Sequence, residues 1–339
     1  MGRDNVIACL NHEKCEVPYT LDAEPCFATS LGQEWLDRID PDLVMITVIR
    51  NGMHLVRDDV VSKDMYGSWW KIDAKIPHVV RPALRGPFMG DYKWPDLNEF
   101  VNHAGLENEQ NYAKYAKNEA DKYVVANLTW GLWETFSSMR GYQYALMDSL
   151  LAPDFFEEVL DVLTDRFIEY TKFVCVMVPE VDCIFYGDDW GDQRGVILGP
   201  DNWRKFLKPR WEKIYSVAHS YGKKIAHHTC GSVVDIMDDI IEIGLDVLES
   251  VQPEARDMEP LSLKKRWGDK ICFWGCLGSQ WPIGTGTPDD IYKEVERLRE
   301  GMGSGYILAP AKRIMEGTPI ENVKAVIEAV TRTSTKASS

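Results

Sequence analysis

Eight short apolar segments, each followed by a stretch of helical pattern, constrain the fold of this chain more than any other feature. They are Val17–Asp22, Asp42–Ile49, Tyr123–Thr129, Val181–Asp188, Lys224–Gly231, Val247–Gln252, Ile271–Cys276 and Tyr306–Pro310. Runs of this length, rich in β-branched and aromatic residues and without polar alternation, predict strands buried on both faces. The intervening helices are predicted over Leu132–Leu151, Asp154–Met177, Pro200–Tyr221, Val233–Ile243, Pro260–Trp267, Asp289–Met302 and Pro319–Thr331. Strands alternating with helices imply a parallel sheet covered by helices, and eight units imply an α/β (β/α)8 TIM barrel. The alternative is an open doubly wound sheet. No Gly-x-Gly-x-x-Gly turn follows the first strand, so a dinucleotide-binding fold lacks its phosphate loop. The barrel carries N-terminal excursions: a helix over residues 3–13, a helical stretch through Gln33–Leu36, a hairpin around Tyr66–Ile72, loops between Pro77 and Pro95, and a charged helix over 108–121. Residues 1–333 are read as one domain, and 334–339 as a disordered polar tail.

Composition narrows the function classes. A net charge of −15 disfavours a nucleic-acid partner, whose phosphates need a basic surface. No apolar run approaches a membrane span. Met1-Gly2-Arg3-Asp4-Asn5 leads straight into a polar helix, which reads as a chain without a signal peptide. The eight cysteines have no paired spacing, as in a reduced, cytoplasmic protein.

In such a barrel the C-terminal strand ends open onto one mouth. That places there Asp22 and Glu24, Arg50 and Asn51, then Thr129, Trp130 and Trp133. Tyr186, Asp188 and Asp189 follow the fourth strand, His228 and Cys230 end the fifth, Glu249 lies in the sixth, Cys276 ends the seventh and Lys312 follows the eighth. Residues two apart on a strand face the same way, so His228 and Cys230 offer an imidazole and a thiol to one point. Zinc suits that mixture of ligands. Each group also has a plainer reading. His228 and Cys230 are equally the residues of an ordinary core. Glu249, alone in an apolar strand, is costly unless paired with a cation or a metal. Cys276 is a common kind of small core residue. Asp188 and Asp189 either serve acid–base work or cap the next turn. The chain has 12 Trp, and Trp69, Trp70, Trp130, Trp133 and Trp190 fall where they would wall an apolar pocket or pack.

Several motifs together resemble the uroporphyrinogen decarboxylase superfamily over nearly the whole chain. They are Ala8–Lys14 with Val17-Pro18, Gly187–Gln193, Leu198–Asp201 with Phe206–Pro209, His228–Gly231, Val251–Pro253, Tyr306–Pro310 and Thr318–Asn322. The resemblance implies a (β/α)8 barrel. True decarboxylases of that superfamily carry an Arg-rich Met-Arg-Gln-Ala-Gly-Arg stretch after the first strand. Here Leu21–Phe27 is acidic and has no Arg. The His-x-Cys pair is instead similar to the branch that moves methyl groups to or from corrinoid proteins. That likeness implies zinc held by His228 and Cys230 with Glu249 completing the set. It also implies cob(I)alamin supplied by a partner corrinoid protein. Coenzyme M methyltransferases of this branch place a further Cys after the eighth strand, where this chain has Ala311-Lys312-Arg313. Cys276 is the substitute the sequence offers.

A site with fewer thiolates is a harder Lewis acid, suited to oxygen. The leading expectation is therefore a zinc-dependent O-demethylase component. It would pass a methyl group from a methyl ether, such as a methoxylated aromatic, to cob(I)alamin. Trp130, Trp133 and Trp190 would bind the substrate, and Asp188, Asp189 or Tyr186 would orient it or supply a proton. The rivals are a methylamine, betaine or thiol substrate, a metal-free decarboxylase of a small acid with His228 in the core, or a binding barrel with a degraded site. A homodimer is compatible with the sequence.

Overall fold

In chain order the strands are β1 (Leu43–Ile46), a small antiparallel group β2 (Ser62–Lys63), β3 (Trp69–Asp73) and β4 (Ile76–Arg81), then β5 (Tyr123–Trp130), β6 (Cys183–Gly187), β7 (Lys224–His228), β8 (Val247–Val251), β9 (Cys272–Leu277) and β10 (Tyr306–Pro310). The computed structural model describes residues 2–50, 62–73 and 76–332; Asn51 and the tail from 334 lie outside them. Seven strands form one parallel sheet in the order β1-β5-β6-β7-β8-β9-β10, while β2-β3-β4 make the expected hairpin excursion. Helices lie between successive parallel strands. The fold is the α/β barrel that the sequence predicts.

The predicted first strand shrinks to an extended segment beside β10. Leu308 N–H donates to Pro18 O (2.8 Å) and Thr20 N–H to Leu308 O (2.9 Å). Pro18 has no N–H to extend a ladder on its other side. There, side chains stand in: Tyr19 N–H donates to Asp42 Oδ2 (3.4 Å) and Asp40 N–H to Tyr19 Oη (2.9 Å).

Alternation sorts the strand residues into two layers. The inner cluster holds Leu43, Tyr123, Val125, Cys183, Phe185, Ala226, Val247, Cys272, Trp274, Ile307 and Ala309. Val6 and Leu10 of the helix Arg3–Leu10 join it and plug the N-terminal end. The outer cluster joins alternate strand residues, such as Ile184, Tyr186, Leu248, Phe273 and Leu308, to the helices. Burying each such large side chain contributes about 1.5–3 kcal/mol. The predicted helix over Leu132–Leu151 is two helices, Leu132–Arg140 and Tyr142–Leu151, because Gly141 turns the chain at φ 84°.

Asp182 ties the N-terminal rim together. Its carboxylate accepts from Arg3 Nε (3.0 Å) and Nη2 (2.7 Å), Lys117 Nζ (3.0 Å) and Val124 N–H (3.1 Å). Burial pushes its pKa up, but the Arg3 fork, the Val124 N–H and Lys117 outweigh burial and hold it below the ordinary 3.8. A carboxylate with a depressed folded-state pKa stabilises above its unfolded value and loses that contribution as pH falls. Asp182→Asn should therefore cost about 2 kcal/mol in urea unfolding at neutral pH. The gap to the wild type should close as pH falls below 3.8.

Candidate metal site at the barrel mouth

The register of three neighbouring strands builds the mouth. Gly187 of β6 pairs with His228 of β7, His228 with Glu249 of β8, and Glu249 with Trp274 of β9. This inward row lies one layer above Phe185, Ala226, Val247 and Cys272. His228 Nδ1 is 2.5 Å from Glu249 Oε2. With Nδ1 engaged there, Nε2 faces Cys230 Sγ (3.5 Å) and Asp189 Oδ1 (3.5 Å). Ligand atoms of Asp189, His228 and Cys230 all lie within 4.8 Å of one another.

Burial lowers the pKa of His228, but the charge of Glu249 and its bonds to Asp189, Cys230 and Glu249 outweigh burial and raise it well above the ordinary imidazole value. Asp189 is held below the ordinary carboxylate value: burial opposes this, and His228 and the Cys230 N–H prevail. That N–H donates to Asp189 Oδ1 (2.8 Å). The three donors are a borderline nitrogen, a soft sulfur and a hard oxygen. That set can hold zinc, and a carboxylate on the far imidazole nitrogen is the usual way to orient such a ligand.

The loop carrying Cys230 is pinned from both sides. Thr229 N–H donates to Glu249 O (2.6 Å), Thr229 Oγ1 accepts from Trp190 N–H (2.8 Å), and Gly231 N–H donates to Gln252 Oε1 (3.0 Å). Gly231 lies at φ 73°, and a Cβ there would fall 2.4 Å from Asp192 O. Only glycine allows this approach.

The structure redistributes the remaining expected roles. Glu249 orients His228 instead of sharing the Asp189–His228–Cys230 point. Tyr186 faces away from the mouth: its hydroxyl donates to Phe167 O (3.0 Å) and meets Thr171 Oγ1 (3.0 Å) in the outer layer. Asp188 is fully buried and accepts from Trp133 N–H (3.2 Å), Glu134 N–H (2.9 Å), Trp190 Nε1 (2.9 Å) and Trp211 Nε1 (3.3 Å). It caps the helix Leu132–Arg140 and anchors two indoles. Burial pushes its pKa up to about 7 against those four donors. Trp133 and Trp190 are each 1% exposed and pack in the core. Trp130 differs. A bulge after Asn127 puts it opposite Gly187, in the row of His228 and Glu249, and it stays partly exposed.

Cys276 also leaves the site. Alternation from Cys272 and Trp274 predicts an inward thiol, but Gly275 (φ 111°) and Cys276 (φ 70°) break the pattern. Its side chain is buried in the outer cluster, near the charges of Glu259, Arg297 and Glu294. Lys312 is exposed beyond β10. His227 points outward too, with Nδ1 2.7 Å from Tyr215 Oη, and burial holds its pKa well below the ordinary value.

One acidic group went unread in the sequence. Glu134, in the first turn of the helix Leu132–Arg140, has a pKa raised well above the ordinary carboxylate value by burial, then by the charges of Asp189 and Asp188. An acid one turn into the helix after a strand was the available signal.

Fold and mouth together define a (β/α)8 barrel with a candidate metal centre at its C-terminal end. The chain belongs to the uroporphyrinogen decarboxylase (URO-D) family, whose model matches residues 79–333. It is 29% identical over 181 residues to a protein named methylcobamide:CoM methyltransferase MtaA from Methanosarcina barkeri, covering 53% of this chain and 50% of that one. A second MtaA, from M. barkeri strain Fusaro, is 28% identical over 181 residues. The chain thus matches about half the length of these curated relatives. A solved methyltransferase from Methanosarcina mazei shares the fold, with a TM-score of 0.71 and 21% identity over 96% of this chain and 97% of that one. Among the described residues no helix is long and apolar enough to cross a membrane.

Asp188→Ala strands four N–H donors, two of them indole. It should lower the unfolding free energy by at least about 3 kcal/mol in urea and shift tryptophan emission of the folded state. Unchanged stability would contradict the capping role of Asp188.

Proposed function

We propose that this chain transfers a methyl group between a small molecule and the corrinoid of a separate protein, using zinc held by His228, Cys230 and Asp189. The observation that carries the zinc reading is the convergence of those three donors within 4.8 Å while Glu249 holds the other imidazole nitrogen. The relatives named for methylcobamide chemistry support the methyl-transfer reading. When bound, zinc supplies Lewis acidity at the mouth.

Within that reading, the donor is a methyl ether, and the reaction an O-demethylation that passes the methyl group to cob(I)alamin. One thiol and one carboxylate beside an imidazole make a hard site suited to oxygen. Among the described residues no second thiol joins these donors: Cys276 faces the helices, and residues 311–313 carry none. Trp130 lines the row where an aromatic ring would lie. Glu134, whose pKa burial and then the charges of Asp189 and Asp188 raise well above the ordinary carboxylate value, is the group we assign to give a proton to the departing oxygen. Glu249 keeps Nε2 aimed at the mouth. A thiol acceptor is the second reading, favoured by the coenzyme M in the relatives' names.

Protein purified without added metal should contain about one zinc per chain, and Cys230→Ala should keep the fold and lose the metal. Mixed with cob(I)alamin, the zinc protein should form methylcobalamin from a methoxylated aromatic. Full activity in a metal-free protein would contradict the zinc reading. Transfer confined to thiols, methylamines or betaines would contradict the ether, and decarboxylation of a small acid without methyl transfer would contradict both.

A further inference from the structure

A second cavity lies on the outer surface of the barrel and shares no residue with the mouth. It is a groove of about 570 Å³ between the helix Pro153–Met177 and the segment 95–101. That volume is within the range of small-molecule sites. Arg166, Tyr170, Phe173 and Val176 line it from the helix, at spacings of four, three and three residues. Those spacings set them along one helical face. At 1.5 Å of rise per residue, Arg166 and Val176 stand about 15 Å apart. The wall is therefore graded, with a cation at one end and, at the other, an apolar side chain that is 61% exposed. Leu97 and Val101 line the other side.

Arg166 is the unusual member. Its Nη2 donates to Pro95 O (2.6 Å), and its Cζ stands 5.5 Å from the centre of the Trp94 ring and 5.6 Å from that of Phe100. Its Nε is buried without an acceptor, and among the described residues no carboxylate pairs with it. The groove does contain carboxylates, but each is engaged elsewhere. Asp96 Oδ1 accepts from Asn98 N–H (2.8 Å), and Glu169 Oε1 pairs with Lys172 Nζ (3.0 Å) at the exposed edge. Tyr170 is 2% exposed, and its hydroxyl has no hydrogen-bond partner. Burial pushes that phenol up to about 12, against the pull of the Arg166 charge, so it stays a donor at neutral pH. A partly buried guanidinium without an anion and a buried hydroxyl without an acceptor are both costly. A chain with 53 Asp and Glu residues has carboxylates to spare, yet it leaves this cation unmatched.

A guanidinium suits a carboxylate through charge-assisted N–H···O bonds, and the apolar run beyond it suits a hydrocarbon body. We propose that this groove binds a small amphipathic monocarboxylate, its head on Arg166 beside Tyr170 and its tail along Phe173 towards Val176. A neutral head gains no charge pairing from Arg166, and a carboxylate without a tail leaves the apolar wall wet. The assignment does not depend on the chemistry at the mouth.

Isothermal titration of the full-length chain with octanoate, 1-octanol and acetate tests it. Octanoate should bind once per chain, and octanol and acetate should each bind at least about tenfold more weakly. Arg166→Gln should weaken octanoate about tenfold. Val176→Asp alters an exposed position; it should leave the circular dichroism spectrum unchanged and weaken octanoate by a similar factor. Cys230→Ala, which removes a candidate zinc ligand at the mouth, should bind octanoate as the wild type does. No octanoate binding at millimolar concentration would overturn the proposal. So would equal binding of octanol or acetate, or wild-type affinity in either Arg166→Gln or Val176→Asp. Loss of binding in Cys230→Ala would put the acid on the metal and overturn it too.

Discussion

The 2.5 Å contact between Glu249 and His228 organises the candidate centre. It follows directly from strand register, because β7 and β8 place the two residues opposite each other on the inner face. A carboxylate on Nδ1 fixes the ring's orientation and leaves Nε2 for the mouth. In this partly buried setting the imidazole would otherwise shed charge; two carboxylates reverse that preference. The loop beyond β7 then has one task, which is to hold the Cys230 thiol and its N–H against Asp189.

Behind the centre stands a second buried carboxylate with a different job. Asp188 follows Gly187 on the same strand as Tyr186, yet Tyr186, Asp188 and Asp189 take three separate roles. Tyr186 packs outward against Phe167 and Trp211, Asp188 gathers four N–H donors in the core, and Asp189 reaches the mouth. The chain leaves strand geometry at Gly187, so alternation no longer decides where each side chain goes. Capping the helix Leu132–Arg140 through Asp188 also positions Glu134 at the edge of the site.

How much of this was legible in the sequence follows from which forces are local. Eight apolar runs separated by helical patterns defined the barrel, since burial on both strand faces leaves a mark in composition. Pro18 was visible, yet its cost to the first strand depended on side chains of Asp42 and Tyr19 that no pattern reports. His228, Cys230 and Glu249 were legible as a group because a charged residue in an apolar strand needs a partner. Their division of labour was not, since it rests on register and ring orientation. Cys276 was misplaced by alternation because two consecutive positive φ angles, one at a non-glycine residue, cannot be read from composition. The number of Trp residues suggested a pocket wall, but only the β5 bulge separates Trp130 from Trp133 and Trp190.

The central claim is that His228, Cys230 and Asp189 together hold one zinc ion. X-ray absorption at the zinc edge of the purified protein tests it most directly. The expected spectrum has a single sulfur at about 2.3 Å and nitrogen and oxygen neighbours at about 2.0–2.2 Å, including the outer-shell scattering of one imidazole. Two or more sulfurs, or no imidazole signal, would contradict it.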